Sequence, residues 1–310
     1  MPRLLSIAML CLFSLCGCQT DNCSESIANE GCSILNITLP STRTSLGEKV
    51  DGIYPVYWSE GDKISANGIA SSVAEIDDAN PSKAYFTFQS EVKYPLNILY
   101  PSGSSVVFSA EQSYVEGSFA NGCVPMCGYV ASKEDNIELK HLAGVLRFAV
   151  KADKGGILLD RIVVTSQSAK LAGEFAVDCK TGAITPSESA TNSVTYTLPS
   201  AFELSTTEEN IFYVSLPAVE QGVCSVNFVE ASGEMMSAVW ESEKPLAPGV
   251  VREFAPFDYK AGATSDVFLI YDEASLRLFA ANADKFGAES TFKSAKVVAD
   301  VDMTGKEWTS

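Results

Sequence analysis

The feature that most constrains the fold is an alternation of apolar and polar residues through the second half of the chain. Apolar side chains occupy every second position in six successive short runs: Leu146–Val150, Ile162–Val164, Phe175–Val177, Val194–Leu198, Phe212–Leu216 and Cys224–Phe228. A period of two places these side chains on one face of a β-strand. Antiparallel sheets that pack on a partner sheet require this pattern. With Val239–Trp240 and Val250–Phe254, it predicts a C-terminal β-sandwich over residues 137–259.

The first half carries similar short strands with more frequent turns. Leu35, Ile37 and Leu39 alternate with polar residues, and Ser59–Asp62 separates two short apolar runs as the turn of a β-hairpin would. Prolines interrupt the remainder and exclude long helices. We therefore expect an N-terminal β-sandwich over residues 34–136. The boundary lies near Asn136, or near Lys151 if the strand before it closes the first sandwich.

The N-terminus has the organisation of an export signal. Arg3 precedes an apolar run from Leu4 to Leu15, which is shorter than the about 20 residues that a membrane-spanning helix needs. The following Leu15-Cys16-Gly17-Cys18 resembles the lipobox of bacterial lipoproteins, although an ordinary cleaved signal peptide also fits. We expect residues 1–17 to be removed, Cys18 to carry the lipid, and residues 18–33 to form a tether. Partnership with the outer membrane would then be through this lipid anchor.

Charge excludes one class of partner. The chain has a formal net charge of −17 at pH 7, and loss of Arg3 with the signal makes the mature protein more acidic still. Such a chain repels phosphate backbones, so no nucleic-acid partner is expected.

Six cysteines remain after Cys18 in an exported chain, which permits disulfides: Cys23, Cys32, Cys123, Cys127, Cys179 and Cys224. Cys123 and Cys127 form the one close pair. They are interpreted as a local disulfide or as two buried thiols. A metal site is not expected, because zinc requires four ligands and the chain lacks a second close cysteine pair or a histidine cluster.

No pattern of enzymatic chemistry is present in the sequence. His141 is the single histidine and lies within an apolar stretch. The motifs of a serine-hydrolase elbow and of phosphate-binding loops are missing. Three acidic clusters lie in or beside turns, where carboxylates commonly serve solubility and capping: Glu60 with Asp62, Asp77 with Asp78, and Asp300 with Asp302. We expect neither an enzyme nor a cofactor.

Several motifs together resemble the fimbrillin-like, type V pilus-related surface lipoproteins of anaerobic Gram-negative bacteria. They are the lipobox, Thr42-Arg43-Thr44, Tyr57–Ile64, Lys140–Phe148, and Gly173–Phe175 with Thr181-Gly182. The resemblance covers residues 18–259. It implies two tandem transthyretin-like β-sandwich domains and a role as a pilus subunit or related cell-surface adhesin. It also implies a location at the outer membrane or in the fimbrium.

In the polymerising members of that family, proteolysis after an arginine removes the first strand. A strand from a neighbouring subunit then fills the groove by β-strand addition. The resemblance makes Arg43 a candidate maturation site, since it follows the first predicted strand. Arg43 is alternatively an ordinary arginine at a β-edge.

Residues 260–310 depart from the family pattern. Asp272 can cap a helix that runs to Ala283, and Lys296–Val301 has the pattern of a strand. This helix-strand extension resembles the start of a parallel β-helix, and the ending at Ser310 indicates either a truncated product or a natural chain that continues. The extension favours a tip-type, anchor-type or stand-alone adhesin, with host or bacterial surface ligands, over a stalk subunit.

A surface glycan-binding lipoprotein is the alternative function. Trp58, Trp240 and Trp308 offer aromatic faces on which sugars could stack. Trp58 and Trp240 lie in alternating strands, however, where burial in the core is the commoner outcome.

Overall fold

The computed structural model confirms the all-β class. It describes residues 32–39, 45–46, 56–242, 245–260, 267–270, 276–277, 279–280, 294–297, 301 and 303–305. Nearly all regular structure in these ranges is β-strand, and helical backbone occurs there at residues 276–277 and 279–280. No helix in the described ranges is long and apolar enough to cross a membrane.

The strands are short and are connected mainly by tight turns. In chain order they are β1 (Ser33–Thr38), β2 (Ser45–Leu46), β3 (Val56–Tyr57), β4 (Ser65–Ala66), β5 (Ile69–Ala70), β6 (Glu75–Asp77), β7 (Asn80–Phe88), β8 (Leu96–Tyr100), β9 (Val106–Phe108), β10 (Glu111–Val115), β11 (Ser118–Phe119), β12 (Met126–Val130), β13 (Lys140–His141), β14 (Ala143–Ala152), β15 (Leu158–Ser166), β16 (Gly173–Asp178), β17 (Ala183–Pro186), β18 (Ser193–Glu203), β19 (Asn210–Pro217), β20 (Gly222–Glu230), β21 (Met235–Ser242), β22 (Val251–Glu253), β23 (Phe257–Tyr259), β24 (Val267–Ile270) and β25 (Ser294–Val297).

The first sandwich is formed by a three-stranded sheet, ordered β1-β7-β6, and a five-stranded sheet, ordered β13-β12-β8-β4-β5. Alternate apolar side chains of both sheets meet in one core. Its members include Ile37, Phe86, Ile98 and Met126, each fully buried. β2 and β3, which fall between β1 and β4 in the chain, form a separate two-stranded sheet.

The second sandwich has a six-stranded sheet, ordered β11-β10-β18-β15-β20-β21, and a smaller sheet around β14. β14 pairs antiparallel with β19, from Ala143 opposite Pro217 to Val150 opposite Asn210. On its other edge it pairs in parallel with β22 and β23. The two sheets bury a core that includes Phe148, Val164 and Phe228.

Strands from the first half of the chain also join the second half. β9 pairs antiparallel with β16, and β10 pairs in parallel with β18. A further apolar group, here called the middle cluster, contains residues from both halves: Leu99, Val106, Phe108, Phe119, Val124, Cys127, Leu142, Ala143, Val145, Phe175, Cys179, Ala190 and Tyr213. These pairings connect residues on both sides of the expected boundary at Asn136, and that boundary stays a prediction.

The hairpin predicted around Ser59–Asp62 is wrong in its pairing. The turn forms, since the Asp62 backbone N–H donates to the Ser59 carbonyl at 3.1 Å. The flanking strands then separate: β3 pairs with β2, whereas β4 pairs with β5 and β8. Trp58 and Ile64 are both buried in the first core, so the chain crosses between sheets here instead of folding back on itself.

The C-terminal extension contains a parallel pair. β24 and β25 pair in parallel from Val267 opposite Ser294 to Ile270 opposite Val297. The described part of the predicted helix, residues 276–277 and 279–280, is helical, and the remainder lies outside the described residues. The predicted strand at residues 296–301 begins earlier, at Ser294.

Gly144 of β14 tests how tightly the core of the second sandwich is packed around Leu246. A Cβ atom at Gly144 would lie 2.4 Å from Leu246 Cγ and 2.8 Å from the Ala247 carbonyl oxygen. We expect Gly144→Ala to lower the free energy of unfolding by about 1–3 kcal/mol, measured by urea denaturation, because the segment around Leu246 must move. Gly155→Ala is the control, since the Cβ there would meet only Glu203 Oε1 at 3.9 Å. Equal losses in both variants would contradict the expectation.

Candidate functional site

The first strand lies at the edge of its sheet. β1 pairs antiparallel with β7, from Ser33 opposite Phe88 to Thr38 opposite Lys83, and with no other strand that the structure describes. The ladder continues to Leu39, whose backbone N–H donates to the Ser82 carbonyl at 2.8 Å. An edge strand is held by one ladder only, so it can leave without breaking a second one.

The side chains of β1 close the first core. Leu35, Ile37 and Leu39 are at most 5% exposed, whereas Ile34 is 57% exposed, as the period of two requires. Each buried apolar side chain of this size contributes about 1.5–3 kcal/mol. The inward face of β1 is therefore a principal contributor to the stability of this sandwich.

Next to β1 lies an apolar surface that we call the strand furrow, defined by Ala84, Phe86 and Phe88 of the neighbouring strand β7 and by Trp58. Ala84 and Phe86 lie opposite Ile37 and Leu35 in the β1–β7 register. The Trp58 ring packs edge-on against Phe86, with centroids 4.9 Å apart, and its Nε1–H donates to the Ile37 carbonyl at 3.3 Å. Loss of β1 would expose this furrow together with one edge of β7, which is what strand addition requires.

Two predicted site residues, Cys18 and Arg43, lie outside the described residues. In the sequence, Arg43 falls between the end of β1 at Thr38 and the start of β2 at Ser45. Cleavage after Arg43 would therefore separate β1 and everything before it from the rest of the sandwich.

The acidic pair in the Tyr57–Ile64 motif has a structural role at Asp62. Asp62 is 2% exposed and accepts a hydrogen bond from the Ser59 backbone N–H at 2.8 Å. The Tyr100 hydroxyl donates to its other carboxylate oxygen at 2.8 Å. Burial, and then the Asp62 charge, raise the pKa of Tyr100 far above its ordinary value. The sequence did not predict the contact of Tyr100 with Asp62, because the two residues are far apart in the chain and no motif links them.

The histidine and two of the tryptophans considered as site residues lie within the packed structure. His141 is buried on β13, opposite Met126 of β12. Trp58 is 3% exposed. Trp240 packs against Phe148 and Phe254, with ring centroids 6.5 and 5.1 Å away. Trp308 lies outside the described residues. Among the residues with described positions, no three His, Cys, Asp or Glu side chains converge on a metal site.

Cys123 and Cys127 are buried free thiols, and their disulfide stays a prediction. Burial raises the pKa of Cys123 to about 11. Its carbonyl accepts a hydrogen bond from the Ser215 hydroxyl at 2.7 Å. The cysteine that shares a buried apolar cluster with Cys127 is Cys179, far along the chain. Sequence spacing alone had no signal for this contact.

Comparison with known proteins yields distant structural likenesses. No protein-family model and no curated protein sequence matches the chain. A "putative cell adhesion protein" from Bacteroides uniformis has 12% identity and a TM-score of 0.41, covering 69% of this chain and 90% of that one. One from Bacteroides ovatus has 13% identity and a TM-score of 0.38, covering 68% and 89%. The tip fimbrial protein Mfa3 from Porphyromonas gingivalis, C-terminally truncated, has 10% identity and a TM-score of 0.28, covering 71% and 84%. Similarities at this level do not decide the function of this chain.

The two isoleucines of β1 test how much the strand contributes. Ile37 is fully buried and Ile34 is 57% exposed on the same strand. We expect Ile37→Ala to lower the free energy of unfolding by about 2–5 kcal/mol, because it opens a cavity against β7. Ile34→Ala is the matched control and should change it by less than about 0.5 kcal/mol. Urea denaturation followed by tryptophan fluorescence measures both. Equal effects would show that β1 does not close this core.

Proposed function

We propose that this chain is a fimbrillin-like cell-surface adhesin or pilus-associated subunit of the tip or anchor type. Its role is to bind proteins or host surfaces, without catalysis. In this proposal, Cys18 carries a lipid that anchors the protein to the outer membrane, and the β-sandwiches face outward. The motif resemblance of residues 18–259 supports the family assignment, and the all-β architecture agrees with it.

The observation that carries the proposal is the position of β1. β1 is an N-terminal strand at a sheet edge with its inward side chains buried. Strand exchange between subunits needs this arrangement. With β1 in place, the protein is a finished, anchored unit. Without β1, the strand furrow presents apolar surface and unpaired backbone groups to an incoming strand.

Maturation at Arg43 is part of the same proposal. A cut after Arg43 would release the lipid and β1 together and leave a chain that begins at Thr44. That chain would accept an extended strand from another pilus subunit. The anchored form is the resting state, and the cut form is the one that assembles.

Adherence of bacteria that express the chain tests the surface role. We expect cells with the wild-type protein to adhere to host epithelial cells or to other bacteria, and cells with Cys18→Ser to adhere several-fold less, because the unlipidated protein is shed. Purified Cys18→Ser protein added in excess should compete. The matched control is Cys32→Ser, which leaves the lipobox intact. Unchanged adherence in Cys18→Ser cells would refute an anchored adhesin.

Loss of binding after periodate treatment of the target surface, but not after protease treatment, would support the glycan-binding alternative.

Limited digestion with an arginine-specific protease tests the maturation site. We expect a first cut after Arg43, identified by N-terminal sequencing that begins at Thr44, since the arginines of the described sandwiches lie in ordered strands. The cut protein should then bind a synthetic peptide of residues 32–39, and the uncut protein should not. Arg43→Ala is the control and should abolish both results. Surface material that begins only at Cys18, with no chain that begins at Thr44, would exclude this maturation in the cell.

A further inference from the structure

Two cysteines distant in sequence meet between the halves of the chain. Cys127 lies on β12 of the first sandwich and Cys179 lies directly after β16. Both belong to the middle cluster, with Cys127 fully buried and Cys179 6% exposed. Cys127 lies opposite Leu99 in the β8–β12 register, and the carbonyl oxygen of the preceding residue, Ile98, lies 4.0 Å from Cys179 Sγ.

Strand alternation explains why Cys127 faces away from the first core. Met126 and Cys127 are neighbours on β12 and therefore point to opposite faces of the sheet. Met126 packs in the core of the first sandwich, and Cys127 packs in the middle cluster. Cys123 precedes the strand and does not belong to that cluster.

Contacts independent of the thiols hold Cys179 against this sheet. Lys140 Nζ donates to the Lys180 carbonyl at 2.6 Å, and Lys180 Nζ lies 4.6 Å from the centre of the Tyr129 ring. The Cys179 Sγ lies 4.0 Å from the Ile98 carbonyl oxygen, on the strand that pairs with β12. The turn after β16 is thus fixed to β8, β12 and β13 at several points.

We propose that Cys127 and Cys179 form a disulfide bond that links the first sandwich to the β16–β17 turn. The reaction is thiol–disulfide exchange with a disulfide donor, such as oxidised glutathione or a thiol-oxidising protein. The Cys179 thiolate attacks the donor, forms a mixed disulfide and releases one donor thiol. Cys127 then loses its proton and attacks Cys179 Sγ, which releases the second donor thiol. Two thiols are oxidised and one donor disulfide is reduced to two thiols.

The position of Cys179 at a cleft makes its thiolate the group that attacks the disulfide donor first. It lines a cleft of about 360 Å³ between the two halves, together with Asn97, Leu99 and Val177. This cleft gives a small disulfide donor access to Cys179. The interaction between the two thiols lowers the pKa of Cys179, and the same interaction together with burial raises the pKa of Cys127, so Cys179 ionises first. Cys127 lies beneath it, in position to resolve the mixed disulfide.

The bond would add a covalent cross-link to the side-chain packing, the hydrogen bonds and the pairing of β9 and β10 that join the two halves. It would close a long loop of chain, which stabilises mainly by restricting the unfolded state. Oxidation should therefore raise the melting temperature by about 5–10 °C. An exported protein meets the oxidising conditions in which such a bond persists.

Peptide mapping of the purified full chain tests the pairing without any mutation. The folded protein is incubated with oxidised glutathione, free thiols are blocked with N-ethylmaleimide in guanidinium chloride, and the digest is examined by mass spectrometry. We expect a peptide that joins Cys127 to Cys179, with Cys123 and Cys224 blocked as free thiols. A bond between Cys123 and Cys127, stable glutathione on Cys179 with Cys127 free, or two unreacted thiols would each overturn the proposal.

Thermal unfolding provides the second measurement. The melting temperature of wild-type protein should rise on oxidation and fall again when a phosphine reductant is added. Cys179→Ser should lose this redox dependence, while the control Cys224→Ser, another buried cysteine, should keep it. Redox dependence that survives in Cys179→Ser and disappears in Cys224→Ser would also overturn the proposal.

Discussion

The five-stranded sheet that contains β8 and β12 buries apolar side chains on both faces, and the rest of the structure depends on it. Ile98 and Met126 point into the core of the first sandwich, while Leu99 and Cys127 point into the middle cluster. A sheet covered on both faces must find a partner on each side. Both halves of the chain supply the outer partner, since Val106 and Phe108 of β9 pack there with residues of the second half. β9 and β10 also pair with strands of the second half.

The same sheet separates two regions with different tasks. On its inner side, the first core is completed by β1, which one ladder holds at an edge and which Arg43 follows in the sequence. On its outer side, the middle cluster joins the two halves and brings Cys127 to Cys179. If the proposed strand exchange removes β1 from the first core, the middle cluster would still hold the two halves together. The proposed strand exchange and the proposed disulfide act on opposite faces of one sheet.

Much of the fold was open to prediction because its signals are local. The period of two identified β1, β14, β18 and β20, because alternation is a property of neighbouring residues. The one-face burial expected with it is wrong for β14 and β20, which are buried on both faces along most of their length. The hairpin at Ser59–Asp62 failed for the complementary reason. Its turn is local and forms, but the partner of each flanking strand is decided by which sheet buries Trp58 and Ile64. The inward side chains of β1 followed from its alternation, whereas the strand furrow, the Asp62–Tyr100 hydrogen bond and the proximity of Cys127 and Cys179 did not.

By itself, the sequence determined the all-β class, the alternating inward side chains of several strands, the net negative charge and the resemblance of residues 18–259 to a family of surface lipoproteins. These properties follow from residue chemistry and from periodicity over a few positions. Only the tertiary structure decided that β1 lies at an edge, that β9 and β10 join the second half, and which thiol lies beside Cys127. The physical reason is that strand pairing joins backbone groups far apart in sequence, and every β-strand offers its neighbours the same hydrogen bonds.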